Sequence, residues 1–486
     1  MKLYDSSRRE KVPFIPLEEG RVRMYVCGPT VYDDIHIGNA RTFLSFDVIR
    51  RWFTEQGYEV TFVQNLTDVD DKIIKRGQER GVEAAQIAAT YTEEFINITR
   101  QFGILEPTIR PRATQEIGPM IEMIQELIAQ GYAYELNGDV YFAVRSDKEY
   151  GHVSGKNIDD LMAGARIEAD ETKRDPLDFA LWKSAKPGEP TWDSPWGPGR
   201  PGWHTECAAM VHRYLGMPID IHGGGADLQF PHHENESAQA ESCWHTPFAN
   251  HWMHTGMLRV NGEKMSKSLG NFFTLKEILE KHSPAALRLL MLQTHYRSPL
   301  DFSFERLEGA QGALERIANT IANLAWAAEK ALQEEPAETS EFAQKTADMC
   351  SAFSDCMDDD FNTAGALAEV FELVSASNSY LDSGSALCAR DCLMAHDALL
   401  WALGVLGIEV PSVQVDELPK ELIDLAREMS GYQGESVQEA SQLLIDTRAQ
   451  ARKQKDWPLA DAIRNAVSAL GLLIEDTANG TRIKRA

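Results

Sequence analysis

Cys27-Gly28-Pro29-Thr30-Val31-Tyr32-Asp33-Asp34-Ile35-His36-Ile37-Gly38-Asn39 is the stretch around which the chain is organised. Ahead of it, Val22, Met24 and Val26 belong to a short apolar run that predicts a buried strand. Behind it, Thr42-Phe43-Leu44-Ser45-Phe46-Asp47-Val48-Ile49-Arg50-Arg51-Trp52-Phe53 sets apolar side chains at helical spacing. Strand, Gly/Pro turn and helix is the arrangement that aims backbone N–H groups at an anion. His36 and Asn39 fall at the mouth of that turn, and Gly38 lets a ligand approach the backbone closely. A histidine beside a glycine is also a common structural feature, so a functional reading needs a second element.

That element is Lys264-Met265-Ser266-Lys267-Ser268, set between Gly262 and Gly270. Two lysines on a glycine-flanked loop can meet the charge that develops on a phosphate during transfer. A solvated basic loop has the same composition. Taken together and in this order, the two segments resemble the two signatures of class I aminoacyl-tRNA synthetases. The second matches in full; the first carries Asn39 where the class pattern ends in histidine. The resemblance implies His36, Asn39, Lys264 and Lys267 as catalytic residues.

At 486 residues the chain has room for several domains with cores of their own. Apolar residues make up 43% and charged residues 25%, ordinary values for a globular protein. No apolar run approaches the roughly 18 residues of a membrane span. Met1-Lys2-Leu3-Tyr4-Asp5-Ser6-Ser7 has no apolar core of a signal peptide. Seven scattered cysteines argue against a disulfide framework and for a reducing cytoplasm. A net charge of −26 repels nucleic acid in general, so any RNA contact must use local basic patches.

Residues 1–110 and 175–260 read as an α/β catalytic domain, a Rossmann-like fold split by an insertion at 111–174. Tyr58 to Asn65 has strand composition and runs into Thr67-Asp68-Val69-Asp70-Asp71. These acids suit a helix start, since the glycine and distal glutamate of a calcium loop are missing. Thr67, at the strand end, is placed to face a ligand. The insertion holds a predicted helix from Thr114 to Gly131 and a strand from Asp139 to Val144. Lys186 to Gly202 is rich in proline, but Trp182, Trp192, Trp196 and Trp203 nearby predict an ordered loop packed on the site. Pro218 to His222 reads as a strand, ending in Gly223-Gly224-Gly225-Ala226-Asp227. Three glycines there permit a nucleotide to lie on the backbone, with Asp227 for ribose hydroxyls. After the class I resemblance this fits an adenosine site, with Gly38, His222, Gly224, Asp227 and Lys267 as ATP contacts. Residues 261–305 carry the lysine loop and a stem-contact region, 306–410 a helical bundle, and 411–486 a small, mostly helical domain. From Arg448 onward there are eight Lys or Arg against four Asp or Glu, about +4 and opposite in sign to the chain. Surface solvation explains such a tail as often as RNA does, but Trp457, beside Lys455 and Asp456, can stack an unpaired base.

Cys207 in Trp203-His204-Thr205-Glu206-Cys207, and the run His232-His233-Glu234-Asn235-Glu236, offer metal donors. In a helix beginning after Pro231, His232 and Glu236 share a face. Thiolates, an imidazole and a carboxylate suit Zn²⁺, although no CxxC pair marks a finger and a buried thiol beside a surface histidine pair is the ordinary alternative. Here the chain resembles the cysteinyl-tRNA synthetase family from end to end. The runs that carry the resemblance are Cys27 to Asn39, Asn65 to Ile74, Gly199 to Cys207, His222 to Leu228, Phe230 to Glu236, Lys264 to Ser268 and Met357 to Ala364.

The resemblance implies one Zn²⁺ per subunit, held by Cys27, Cys207, His232 and Glu236 and binding the substrate sulfur. It also implies Thr67 and Trp203 as amino-acid contacts and Trp457, Asp456 and Arg464 as tRNA contacts in an anticodon-binding domain. L-cysteine, ATP with Mg²⁺ and tRNA(Cys) are the implied substrates, and a cytoplasmic monomer the implied state. A cysteine ligase acting on an amino-sugar would share the catalytic core but lack the full tail. A non-catalytic RNA-binding paralog would not need both lysines and the complete donor set.

Overall fold

The structure, a computed structural model, describes residues 1–157, 173–266, 269–331, 339–383, 387–410, 418–477 and 480–485. Four parallel strands form the sheet that carries the site. They run Ala249–Thr255, Ile219–Gly225, Arg21–Val26 and Glu59–Gln64 in order across it. Val22, Met24, Tyr25 and Val26 are all fully buried, the continuous burial of a parallel strand covered on both faces. The helix Ile37–Glu55 links the last two strands, and Glu234–Trp244 links the first two. The two pairs meet where Met24, Tyr25 and Val26 lie opposite Ile221, His222 and Gly223. This reversal of strand order opens a crevice beyond the carboxyl ends, where such sheets bind ligands.

Charged side chains hold Ile37–Glu55 in place as firmly as apolar ones do. Arg41, 2% exposed, donates to the carbonyls of Gly256, Met257, His295 and Ser298. Asp47 accepts from Arg51, Arg288 and the Leu105 amide. Buried charges persist only when paired in this way.

The insertion forms an antiparallel sheet of Ala133–Leu136, Asp139–Phe142, Phe179–Ser184 and Gly199–Pro201. It therefore draws on residues well beyond 174. The reason is pairing: Val140 lies opposite Trp182, and Trp182 opposite Pro201. The proline-rich stretch is ordered, with Trp182 fully buried 6.0 Å from the Trp196 ring and Trp192 bridged to Gly199. The helix predicted from Thr114 starts later, at Ile117–Ala129. Asp68 accepts from both the amide and the hydroxyl of Thr114, which keeps that residue in a separate 3₁₀ turn, Ala113–Gln115.

The chain divides into two compact units, the first comprising Met1–Gln311, Ser354–Leu367 and Val405–Ile408. Within it a hairpin of Lys2–Asp5 and Glu10–Pro13 precedes the parallel sheet. Asp360 accepts from the Tyr4 amide, the Tyr296 hydroxyl and Arg297 just before the helix Thr363–Leu381 begins. The second unit is helical, with Phe342 stacked on Tyr380 at 4.2 Å. Its C-terminal part packs Glu421–Ser430, Val437–Lys453 and Trp457–Ala469 around Leu422, Leu444, Ile463 and Val467. A hairpin of Leu472–Thr477 and Gly480–Arg485 completes it.

Candidate active site and metal centre

The first signature is a helix start. His36 is the N-cap of Ile37–Glu55: its Nδ1 accepts from the Asn39 amide at 3.2 Å, and the Asn39 side chain accepts from the His36 amide at 3.4 Å. This reciprocal cap satisfies two of the helix's unpaired donors. Asn39 thus has a structural use at the position where the class pattern carries histidine. The segment that follows the second signature, Phe272 to Leu275, lies against the first. The Ile37 amide donates to the Phe273 carbonyl, and the Leu275 amide to the Ile35 carbonyl. Phe272 packs edge-on to His36 at 5.4 Å. Lys264 ends the short strand Glu263–Lys264 and is exposed; Lys267 lies outside the described residues. His36, Gly38, Asn39, Asp227 and Lys264 line one cavity of about 490 Å³, which Cys27 and Trp203 also line.

Cys27, Cys207, His232 and Glu236 converge as four ligand atoms within 4.8 Å of one another, all buried. Cys27 directly follows the central strand, Cys207 sits in the first turns of Trp203–Leu215, and His232 and Glu236 flank the start of Glu234–Trp244. The two sulfurs are 3.8 Å apart, and His232 Nε2 lies 2.7 Å from Glu236 Oε1. The helix begins two residues later than predicted, after a wide turn over Gln229–His233, yet the four-residue spacing still brings His232 and Glu236 together. Two thiols, an imidazole and a carboxylate in a closed pocket are a donor set that fits a borderline-soft divalent metal.

Charge inside the cluster is distributed by its neighbours. Burial pushes the Glu236 carboxyl up, but the His232 and His222 imidazoles overrule it and hold it well below the usual carboxylate range. Burial pulls the His232 imidazole down, and Glu236 overrules that, raising it to about 10. Burial, with the hydrogen bond that Cys27 donates to Cys207, pushes the Cys27 thiol up.

Two of the expected nucleotide contacts, His222 and Gly224, are not among the residues that line this cavity. His222 is fully buried, with Nε2 2.9 Å from Glu236 Oε2 and 3.6 Å from the Cys27 sulfur. With His233 it completes a second donor set that shares Cys27 and Glu236 with the first. Gly224 is buried. A Cβ on it would come within 2.9 Å of the His233 ring, and one on Gly223 within 2.2 Å of Phe46. Those two glycines answer close packing, and Gly225 is the one that lines the cavity. Trp203 stacks on His232 at 4.1 Å. Thr67, 1% exposed, turns its hydroxyl toward Glu206 at 2.5 Å.

The family model for the "tRNA synthetases class I (C) catalytic domain" matches residues 13–312, and a DALR domain matches residues 352–410. A cysteine–tRNA ligase of Carboxydothermus hydrogenoformans is 48% identical over the whole of both chains. One from Caldicellulosiruptor saccharolyticus is 47% identical, again over the whole of both. The chain belongs to the cysteine–tRNA ligase family. The fold is also that of a Mycobacterium tuberculosis methionyl-tRNA synthetase in complex with methionyl-adenylate. That structure is 15% identical, with a TM-score of 0.59, covering 79% of this chain and 89% of the other. No described helix is long and apolar enough to cross a membrane.

In this cysteine–tRNA ligase family member the C-terminal candidates are separate side chains. Trp457 is 55% exposed, Arg464 is exposed, and Asp456 caps Trp457–Ala469 by accepting from the Leu459 amide. Part of the basic excess is neutralised internally, since Asp476 pairs with Arg448 and Arg452. Sequence reasoning missed His233, whose Nε2 is 3.3 Å from the Cys27 sulfur and whose Nδ1 is 2.8 Å from His254. It also missed Lys72, which lines the cavity 5.5 Å from the Tyr32 ring and 5.9 Å from Trp203. Adjacency to His232 was the one signal for His233. For Lys72 there was its place in the first turn after Thr67.

Proposed function

We propose that the chain activates L-cysteine with ATP and transfers it to the 3′ end of tRNA(Cys). The observation that carries this reading is the shared cavity: the metal donor Cys27 lines the same space as His36, Lys264 and Asp227. In the first step the cysteine carboxylate attacks the α-phosphate of ATP. A carboxylate–phosphorus bond forms, the bond to the β-phosphate bridge breaks, and pyrophosphate leaves. In the second, the terminal adenosine hydroxyl of tRNA attacks the acyl carbon and AMP departs.

His36 accepts from the Asn39 amide through Nδ1, so its neutral ring carries the proton on Nε2, the form that donates to a phosphate oxygen. With Lys264 and Lys267 it meets the charge developing there, and removing one such donor typically costs about 10²–10³ in rate. Asp227 and Gly225 receive the nucleoside, and Trp203 closes the amino-acid end. Mg²⁺ would accompany ATP.

Cysteine and serine differ by one atom, and a steric pocket separates near-isosteres by only about 10–200-fold. A zinc ion held by Cys27, Cys207, His232 and Glu236 would supply a soft Lewis acid that takes a thiolate in preference to an alcohol. Of the four donors, Glu236 is the one whose second oxygen already has a neighbour of its own, His222 at 2.9 Å. It is therefore the donor best able to yield a position to substrate. ATP–pyrophosphate exchange tests the reading: it should require cysteine, fail with serine and be lost on zinc removal. Exchange at full rate without the metal would refute the selectivity argument. Absence of exchange, or of transfer to tRNA, in the zinc-loaded protein would refute the activity.

A further inference from the structure

Glu206 is a carboxylic acid buried to 1% exposure beside Cys207, and none of the expected roles uses it. Its Oε2 accepts from the Thr67 hydroxyl at 2.5 Å. The same hydroxyl oxygen accepts from Asn65 Nδ2 at 3.3 Å, and Asn65 Oδ1 accepts from the Gly28 amide at 2.8 Å. Four groups therefore form one continuous hydrogen-bonded chain. It begins next to Cys27, crosses the end of the strand Glu59–Gln64, and ends next to Cys207. Asn65 and Thr67 are each 1% exposed, so the bonds between Asn65, Thr67 and Glu206 are shielded from water.

The two cysteines reach the site from elements distant in sequence. Cys27 directly follows a strand and Cys207 lies in the second turn of a helix, 180 positions later. Backbone bonds fix each locally: the Cys27 amide donates to the Gly223 carbonyl, while Cys207 rides on Trp203–Leu215. Neither bond sets the spacing of one sulfur from the other. The side-chain chain spans that gap: it runs from one cysteine's neighbour to the other's through the loop where the Thr67 amide also donates to the Pro29 carbonyl.

We infer that Asn65, Thr67 and Glu206 are positioning residues that preset the separation of Cys27 and Cys207 for the metal. The inference rests on the metal site proposed above. Partners behind metal ligands typically govern affinity by about 10–100-fold, because they remove the cost of orienting the ligands as the ion arrives. Thr67 acts here through its hydroxyl, and its effect is present before any substrate binds.

The test is zinc affinity of the full chain without substrates, by competition with a chromophoric chelator. Thr67→Val keeps the shape but removes both hydrogen bonds, and should weaken zinc binding by about 10–100-fold. Thr67→Ser keeps the hydroxyl and should bind zinc as the parent does. Thr67→Val also strands a buried carboxyl, so its loss of affinity could reflect poor folding. The double variant Thr67→Val, Glu206→Leu removes both partners of the shorter bond together, leaving only the longer 3.3 Å contact from Asn65 unmade, a change that costs far less stability than a stranded carboxyl. It should melt close to the parent yet remain weak in zinc binding. Parental affinity in Thr67→Val, or its recovery in the double variant, would overturn the inference. A parent that takes up no zinc would instead refute the proposed cofactor, a result distinguishable from either.

Discussion

Gly28→Ala is the smallest change that should disable the metal centre. A Cβ built at Gly28 would lie 1.7 Å from the Asn65 carbonyl oxygen, where real Cβ atoms essentially never come closer than 3.0 Å. The two main chains must therefore part by about 1.3 Å, and the obstacle is backbone, which no rotamer change can relieve. Such overpacking typically costs about 1–3 kcal/mol, and a collision between main chains belongs at the upper end. The functional consequence is larger than the loss of stability. Metal ligands must sit within about 0.2 Å of their proper distances, and the displaced segment carries Cys27. A misplacement of about 1 Å near reacting groups can cost about 10² in rate. The assay is zinc content of the purified variant together with cysteine-dependent ATP–pyrophosphate exchange, with circular dichroism to establish that it is folded. The expected result is a folded protein with substoichiometric zinc and exchange reduced at least about 100-fold. A variant with one zinc per chain and exchange within about threefold of the parent would refute the reasoning, since the loop would have absorbed the methyl group without moving Cys27.

Two further outcomes follow from other parts of the fold. His36→Ser keeps a good N-cap, worth about 0.5–2 kcal/mol over alanine, but removes the imidazole donor. Its melting temperature should stay near the parent's while kcat for exchange falls by about 10²–10³; a parental kcat in this variant would show that His36 serves only as a cap. Asp476 is held down at about 2, first by the Arg448 hydrogen bond, so its folded form binds its proton later than the unfolded chain, whose value is 3.8. Its stabilising contribution is therefore complete above about pH 4 and lost as pH falls through 2. Chemical denaturation should find Asp476→Asn destabilised at neutral pH and converging on the parent in acid. A gap that widened toward acid would refute the assignment.

The strand, turn and helix around Cys27 were legible because each rests on local signals: apolar runs, a Gly/Pro turn and helical spacing. The pairing of Cys27 with Cys207, His232 and Glu236 was legible from residue type and family resemblance. What the sequence hid was long-range. His222 looks the same whether it meets a nucleotide or Glu236, and only the fold brings it to the latter. Gly223 and Gly224 read as room for a ligand, whereas packing against Phe46 and His233 requires them. The inserted sheet passes residue 174 because Trp182 finds Val140 across it, a pairing that composition does not announce. A charge count over the tail could not foresee that the hairpin returns Asp476 to Arg448 and Arg452.

The placement of the metal donors follows from sheet register. Cys27 is the residue after a strand whose Met24, Tyr25 and Val26 lie opposite Ile221, His222 and Gly223. Side chains alternate faces along a strand, so a slip of one residue would turn the thiol away from Cys207 and bring a different side chain to the donors. Register is pinned on both sides of this strand, by Arg21–Val26 against Glu59–Gln64 and by Gly223, which admits Phe46 of the following helix. That same helix begins at His36. One packing arrangement therefore fixes the proposed sulfur-binding end and the proposed phosphate-binding end of the crevice together. The distance between them is set by the central strand and its helix, the two elements that the opening stretch of sequence joins.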